Sequence, residues 1–266
     1  MALRFSTIAG TDVGLIRDGN EDAALTSSVL VAVADGMGGH AGGEVASHIA
    51  INTLAGLIDL LADSTLDPES RADLLMNISY SVDSEIAARV KEEPALTGMG
   101  TTLTALYAVA GGVELLHIGD SRCYHWNGKK LQQLSYDHTV MQELIDQGRL
   151  TLDEVADHPQ RSMLTQALMG EGNIDPVLSF YPAKAGDFFL LCSDGLTNLL
   201  SDHEIAAVIK HYSAKENQSA DLVAALIAAV KEKGAPDNVT VLWSRLDDSS
   251  EETAISPELF GAAGDR

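Results

Sequence analysis

The stretch VLVAVADGMGGHAGG, residues 29–43, decides the fold. It begins as a run of small and β-branched apolar residues, which is typical of a buried strand, and it ends at Asp35-Gly36 before a glycine-rich turn. Apolar residues at helical spacing follow from Glu44. A carboxylate is therefore held at the end of a buried strand, where it must contact either water or a cation.

Three further aspartates stand at the ends of predicted strands. Asp120 follows LLHIG, Asp194 follows FFLLCS, and Asp237 precedes NVTVLWS. We therefore expect four carboxylates to share one metal site. Mg²⁺ and Mn²⁺ prefer oxygen ligands, whereas zinc favours Cys or clustered His. None of the eight histidines forms an H-x-H or H-x-x-x-H pair, so the donors favour a centre of two hard dications.

A second acidic group lies near the start of the chain, where Arg17 precedes Glu21 and Asp22. Taken alone, this segment is also consistent with a solvated turn. Combined with the strand-end aspartates, either acid could complete a two-metal centre. Two ions a few ångströms apart can generate hydroxide near neutral pH and bind the oxygens of an in-line displacement at phosphorus. The planar guanidinium of Arg17 would suit the phosphoryl oxygens.

Composition limits the possible partners. The 266 residues include 39 acidic and 17 basic side chains, a net charge of −22, and no basic run, so nucleic acid is excluded as a partner. No apolar run approaches the roughly 18 residues needed to cross a membrane, and the first residues lack the pattern of a secretory signal. Cys123 and Cys192 lie in separate apolar strand patterns and are expected to be reduced core thiols. We expect a cytoplasmic protein without a membrane partner.

Strand patterns fall into two clusters with pairs of helical patterns between them. This order predicts an α+β layered sandwich, in which two packed antiparallel β-sheets are flanked by helix pairs. Residues 149–172 are polar and irregular and predict a flap on the surface. We expect a single catalytic domain over residues 1–246 and an acidic, flexible tail over 247–266.

A dinucleotide-binding fingerprint is the rival interpretation of the opening stretch, because residues 36–41 match G-x-G-x-x-A between a strand and a helix. Two features oppose this interpretation. The first helix is followed by a second helix where a βαβ unit requires a parallel strand. The acidic residue expected about 20 positions later is Asp59, which falls inside a helical pattern.

Seven short motifs follow one another along the chain: R-x-x-x-E-D at 17–22, V-A-D-G-M-G-G-H at 33–40, G-T-T-L at 100–103, H-I-G-D-S-R at 117–122, D-H-T at 137–139, C-S-D-G-L at 192–196 and D-N-V-T at 237–240. In this order they resemble the metal-dependent type 2C (PPM) serine/threonine protein phosphatases, and most of all their compact bacterial members. The resemblance covers about residues 4 to 246. Seven ordered motifs are far more specific than any single one.

The resemblance implies a β-sandwich flanked by helices, with two Mn²⁺ or Mg²⁺ ions in a cleft at one end. By this resemblance Asp35 would bridge the two ions and the Gly36 carbonyl would coordinate the second. Asp194 and Asp237 would bind the first ion, while Glu21 and Asp22 would act directly or through metal-bound water. Bacterial relatives often carry a third ion, for which Asp120 would be the ligand, helped by Ser162.

The resemblance also implies how the substrate is handled. Arg17 would bind the substrate phosphate, and residues 149–172 would form the flap beside the active site. Attack at phosphorus would come from a metal-bridging hydroxide, without a phosphoenzyme. Many eukaryotic members place a histidine where this chain has Met37, which cannot protonate the leaving oxygen. The candidates for that role are His40, His158 in the flap and a metal-bound water.

The expected function is the hydrolysis of phosphoserine and phosphothreonine in proteins, by a monomer that opposes a bacterial Ser/Thr kinase. Two alternatives remain open. One is a non-catalytic member of the fold that binds phosphoproteins or reports a signal, although all the core carboxylates are present. The other is a phosphatase that acts mainly on small phosphoesters.

Overall fold

The structure is a computed structural model that describes residues 2–38, 42–63, 66–151, 158, 160–213, 219–249 and 256–264. Its strands are β1 (Ala2–Asp12), β2 (Asp22–Thr26), β3 (Leu30–Met37), β4 (Gly100–Thr101), β5 (Leu103–Val109), β6 (Gly112–Ile118), β7 (Arg122–Trp126), β8 (Leu131–Gln133), β9 (Val177–Pro182), β10 (Phe188–Cys192), β11 (Val239–Ser249) and β12 (Glu258–Gly261). Its helices are α1 (Gly42–Ala55), α2 (Ile58–Leu61), α3 (Pro68–Glu92), α4 (Val140–Asp146), α5 (Asp194–Thr197), α6 (Asp202–Ser213) and α7 (Ser219–Glu232).

Two antiparallel sheets form the centre of the molecule. The first sheet has five strands in the order β1-β11-β10-β7-β8. The second has the order β12-β2-β3-β5-β6-β9, with β4 paired to β3. Apolar side chains from both sheets meet in one buried cluster that includes Phe5, Val33, Leu106, Leu191 and Leu242. The small and β-branched residues of β3 are therefore buried between neighbouring strands and beneath a second layer, as their sequence predicts.

Helices cover the outer face of each sheet. Ile51 of α1 and Ile78 of α3 belong to the apolar cluster on the second sheet. Ile205 of α6 and Leu226 of α7 pack in the cluster that contains Trp243 of the first sheet. The layers thus follow the order helix, sheet, sheet, helix. The predicted α+β layered sandwich with flanking helix pairs is confirmed.

The topology around β3 disagrees with the dinucleotide-binding hypothesis. The chain leaves β3 for α1 and then enters α2 and α3 before the next strand. Among the described residues, β3 pairs with β2, β4 and β5, and each of these pairings is antiparallel. A dinucleotide fold requires a parallel strand after the first helix, so the match at residues 36–41 does not mark such a site.

Strand β2 was not predicted. Residues 17–22 had the composition of a solvated turn, yet all five residues of β2 are buried and Asp22 is the first of them. Both faces of β2 are covered, so its sequence DAALT lacks the alternation that marks a strand with one exposed face. The register of β2 on β3 places Asp22 opposite Asp35.

The prediction of a flexible tail over 247–266 is wrong for the described residues beyond 246. Strand β11 continues to Ser249, and β12 pairs with β2 in an antiparallel register. Ala262 and Ala263 are buried in the apolar cluster beneath α1. The physical reason is that β2 would otherwise be an open edge, and the segment ELFG supplies its hydrogen-bonding partner. Residues 250–255 and 265–266 lie outside the described residues.

Both cysteines are free and buried. Cys123 lies in the cluster between the sheets, whereas Cys192 lies in the cluster beneath the helices of the first sheet. Across the described ranges, every helix is too short or too polar to span a membrane.

Strand β12 is expected to contribute to stability. Leu259 and Phe260 are partly buried against the two neighbouring clusters. Ending the chain after Ser249 should lower the free energy of unfolding by about 2 kcal/mol or more, because it exposes this apolar surface and reopens the edge of β2. Chemical denaturation would measure the loss. Phe260→Ala, which keeps the strand, should lose less, and a shortened chain as stable as the full chain would contradict the prediction.

Candidate metal centre

The end of β3 carries Asp35, which is locked in place by the threonines of the G-T-T-L motif. The backbone N–H of Asp35 donates to Thr102 Oγ1 at 2.9 Å. The carbonyl oxygen of Asp35 accepts hydrogen bonds from the N–H of Thr102 at 2.9 Å and from Thr101 Oγ1 at 3.0 Å. These three bonds fix the backbone at the point where the carboxylate leaves the strand.

Asp22 enters the same region from the neighbouring strand and is buried. Its Oδ2 atom accepts a hydrogen bond from Ser193 Oγ at 2.7 Å, and the same hydroxyl oxygen accepts one from the backbone N–H of Thr240 at 3.0 Å. Thr240 lies in β11 and Ser193 directly follows β10, and both strands belong to the first sheet. Asp22 lies in β2 of the second sheet. One serine hydroxyl therefore joins the two sheets beside the carboxylates.

Asp194 and Asp237 come from the first sheet. Asp194 follows β10 and begins α5, where its Oδ2 accepts a hydrogen bond from Asn198 Nδ2 at 2.8 Å. Asp237 lies just before β11. The next residue, Asn238, donates from Nδ2 to the carbonyl oxygens of Val13 and Gly19, and its Oδ1 accepts from the N–H of Glu21. Asn238 thereby holds the whole loop between β1 and β2 against the start of β11.

Arg17 projects from that loop toward the acidic cluster. Its Nη2 atom donates to Asp237 Oδ2 at 2.8 Å, and its Nη1 atom lies 3.9 Å from Glu21 Oε2. The Arg17 side chain is 47% exposed, so it remains accessible to a ligand. The structure therefore brings Arg17, Glu21 and Asp237 together.

The carboxylates influence one another strongly. Burial raises the pKa of the Asp35 carboxyl well above its usual range, and the charges of Asp22, Asp194, Asp120 and Asp237 raise it further. Burial also raises the pKa of the Asp22 carboxyl, although the Ser193 hydrogen bond opposes the shift. The pKa of Asp194 is raised by burial and by Asp237. Such a group of like charges favours a bound cation, because a cation offsets their mutual repulsion.

Glycines allow the backbone at the end of β3 to pack closely against its neighbours. A Cβ atom on Gly36 would collide with the carbonyl oxygens of Gly43 and Glu21. A Cβ atom on Gly43 would come within 2.8 Å of the Gly36 carbonyl oxygen. Both positions therefore require glycine, and the first turn of α1 packs directly on the backbone next to Asp35. The opening motif requires its glycines for this close packing.

The donor set fits hard dications. Carboxylate and carbonyl oxygens are the ligands that Mg²⁺ and Mn²⁺ take, and glycine at position 43 keeps a Cβ atom away from the carbonyl oxygen of Gly36. Among the described residues, no group of three or more Asp, Glu, His or Cys side chains is arranged to hold a metal ion. Backbone carbonyls or water would have to complete the coordination of any ion held here.

Asp120 borders a groove of about 400 Å³ that reaches Asp194. Burial raises the pKa of the Asp120 carboxyl, and the charge of Asp194 adds to the shift. Arg122 lines the same groove and is held by Asp137, whose Oδ2 lies 2.6 Å from Arg122 Nη2. Ser162 is exposed and lines a different groove of about 290 Å³. The structure therefore unites Asp120 with Asp194 but does not bring Ser162 into that groove.

Two histidines are the candidate proton donors. His40 lies outside the described residues. His158 is described, and its Nδ1 accepts a hydrogen bond from the N–H of Gln160 at 3.2 Å within a local turn. Met37 lines the groove that contains Ser162.

The C-terminal part of the predicted flap is held by the buried carboxylate of Asp83, which the sequence analysis did not identify. Asp83, on α3, accepts hydrogen bonds from the backbone N–H groups of Met169, Gly170 and Gly172 at 3.0, 2.7 and 2.9 Å. Leu168 forms a bridge with Thr101, next to Asp35. The chain beyond Arg161 is thus tied to the end of β3, whereas residues 152–157 and 159 lie outside the described residues.

Comparison with known proteins places this chain in a known family. The family profile described as protein phosphatase 2C matches residues 18–233. The chain is 42% identical over 245 residues to the serine/threonine protein phosphatase PstP of Mycobacterium tuberculosis, a match that covers 91% of this chain and 45% of that protein. It therefore spans a little under half the length of that relative.

Two further matches extend over nearly the whole of the chain that was compared. The serine/threonine phosphatase stp of Listeria monocytogenes is 35% identical over 244 residues, which cover 89% of this chain and 94% of that protein. The crystal structure of the PstP catalytic domain with two manganese ions superposes with a TM-score of 0.81 at 39% identity, covering 92% of this chain and all of that chain.

The cluster of carboxylates predicts that Asp194→Asn stabilises the protein without metal and reduces the stabilisation that Mn²⁺ provides. In EDTA, Asp194→Asn should raise the melting temperature by about 2 °C or more, because it removes one of several like charges that lie close together. In saturating Mn²⁺, the wild-type protein should gain more than the variant. Differential scanning fluorimetry would measure both shifts. Asp73→Asn, an exposed change on α3, is the matched control, and an equal Mn²⁺ gain in Asp194→Asn would contradict the prediction.

Proposed function

The chain belongs to the protein phosphatase 2C family, and on that premise we propose that it hydrolyses phosphoserine and phosphothreonine in proteins with two or three Mn²⁺ or Mg²⁺ ions. The observation that carries the proposal is the convergence of Asp22, Asp35, Asp194 and Asp237 beside an accessible Arg17. The names of the relatives and the two manganese ions of the PstP structure support it.

We assign the ion ligands as follows. Asp35 and the carbonyl of Gly36 would hold one side of the site, Asp194 and Asp237 the other, and Asp22 and Glu21 would bind directly or through water. When bound, two dications would make hydroxide available near neutral pH and offset charge on the phosphoryl oxygens. For a third ion the ligand would be Asp120. Ser162 lines a different groove from Asp120, so it would bind this ion only if its segment moved toward Asp120.

The chain's own residues would bind and orient the phosphate. Arg17 has a planar guanidinium that can form two parallel hydrogen bonds to phosphoryl oxygens. Its contacts with Asp237 and Glu21 hold the guanidinium beside the carboxylates. Asn238 fixes the loop that carries Arg17 and so positions it indirectly. For proton donation to the leaving oxygen we propose His40, with His158 as the second candidate.

The substrates and setting follow from the same premise. We propose phosphoproteins as substrates and a bacterial Ser/Thr kinase as the enzyme whose action this chain reverses. A net charge of −22 supports partners other than nucleic acid. We further propose that residues 1–246 and the returning strand β12 act together as one monomeric catalytic unit. The two unpaired thiols support a location in the cytoplasm.

The proposal is tested by release of phosphate from a phosphothreonine peptide. Purified protein should release phosphate with Mn²⁺, lose this activity in EDTA, and lose at least about 100-fold in kcat on Asp35→Asn, because the substitution removes a proposed ion ligand. Asp73→Asn should behave as the wild type. A folded protein that binds the peptide without turnover under any metal would contradict the proposal and favour a binding role.

Turnover of p-nitrophenyl phosphate would be measured in parallel. A protein that hydrolyses this small ester efficiently, but not the peptide, would favour the alternative of a small-phosphoester phosphatase.

A further inference from the structure

The loop between β1 and β2, residues 13–21, is rigidly attached to the candidate metal centre. The N–H of Leu15 donates to the carbonyl oxygen of Ala235 at 2.9 Å. Asn238 holds the carbonyl oxygens of Val13 and Gly19 at 2.9 Å each. Gly14 has a φ of 80°, and a Cβ atom there would collide with the carbonyl oxygen of Asp237. The conformation of this loop is therefore set by the segment that carries Asp237.

Two large apolar side chains on this loop are exposed. Ile16 is 71% exposed and Leu15 is 57% exposed, the two highest values among the large apolar side chains of the described residues. Val13 adds a smaller exposed area at 37%. The backbone of the loop is fixed by hydrogen bonds that do not depend on these side chains. Packing therefore does not explain why the two positions are apolar, and a cluster of exposed apolar surface is typical of an interaction site.

The position of this pair points to its ligand. Arg17, the residue proposed to bind phosphate, directly follows Ile16. Consecutive Cα atoms lie about 3.8 Å apart, so the backbone positions of Leu15 and Ile16 lie within about 8 Å of that of Arg17. Resting on the proposed function, we infer that Leu15 and Ile16 contact apolar side chains that flank the phosphorylated residue of the substrate protein.

The charges around the loop support an apolar occupant over an acidic one. Asp18 follows Arg17 in the chain, Glu21 and Asp237 contact it, and the whole chain carries 39 acidic against 17 basic residues. An acidic residue next to the phosphate would be repelled by these carboxylates. An apolar residue avoids that repulsion and buries apolar surface on Leu15 and Ile16. Substrate preference at the flanking positions would then depend on this pair.

The test compares two phosphothreonine peptides that differ only at the flanking positions. One carries leucine on each side of the phosphothreonine and the other carries serine. With Mn²⁺, the wild-type protein should prefer the leucine peptide by about fivefold or more in kcat/KM, and the difference should lie in KM. Leu15→Ser combined with Ile16→Ser should reduce this preference to less than about twofold. Leu60→Ser, a change at an exposed leucine of α2, is the matched control and should keep the wild-type preference.

The outcomes separate this inference from the proposed function. Wild-type protein that hydrolyses both peptides equally well, or a double variant that retains the preference, would overturn the role of Leu15 and Ile16 while leaving the phosphatase activity established. Wild-type protein that hydrolyses neither peptide would overturn both. Loss of the preference in Leu60→Ser as well would also overturn the inference, because the effect would then not be specific to the loop.

Discussion

The repulsion among carboxylates held at one end of the sandwich is the constraint on which the rest of the structure depends. Asp22 and Asp35 arrive from the second sheet, and Asp194 and Asp237 from the first. Burial and mutual charge raise the pKa of the Asp35 carboxyl, so the arrangement carries an electrostatic cost. A fold can tolerate this electrostatic cost when the surrounding structure fixes the carboxylates in place and when a bound cation offsets their repulsion.

The surrounding structure fixes them through polar side chains that cross between elements. Ser193 Oγ donates to Asp22 and accepts from Thr240, so one hydroxyl ties both sheets together next to the charges. Asn238 makes three hydrogen bonds to the loop that carries Arg17. Asp83 holds the chain that pairs with Thr101, beside Asp35. The site is thus a joint between the two sheets, and its geometry depends on how the sheets pack.

Sequence reasoning predicted the parts of this arrangement that leave a local pattern. Asp35, Asp120 and Asp194 follow apolar runs and Asp237 precedes one. The layered fold follows from the order of those runs. Strand β2 has both faces covered and only five residues, so it shows no alternation. Strand β12 lies in an acidic stretch, and its partner is more than 200 residues away in the chain, so only the folded topology reveals it. Ser193 and Asn238 stand next to aspartates in two of the seven motifs. Their hydrogen bonds run to residues far away in the chain, so the sequence does not reveal their roles either.

The most direct test of this account is the number of Mn²⁺ ions that the folded chain binds at saturation, measured by equilibrium dialysis near neutral pH. The account predicts at least two ions per wild-type chain and fewer on Asp35→Asn, because the substitution removes a carboxylate that is proposed to hold the ions. A folded wild-type chain that binds no Mn²⁺, or an Asp35→Asn variant that binds the same number with the same affinity, would contradict it.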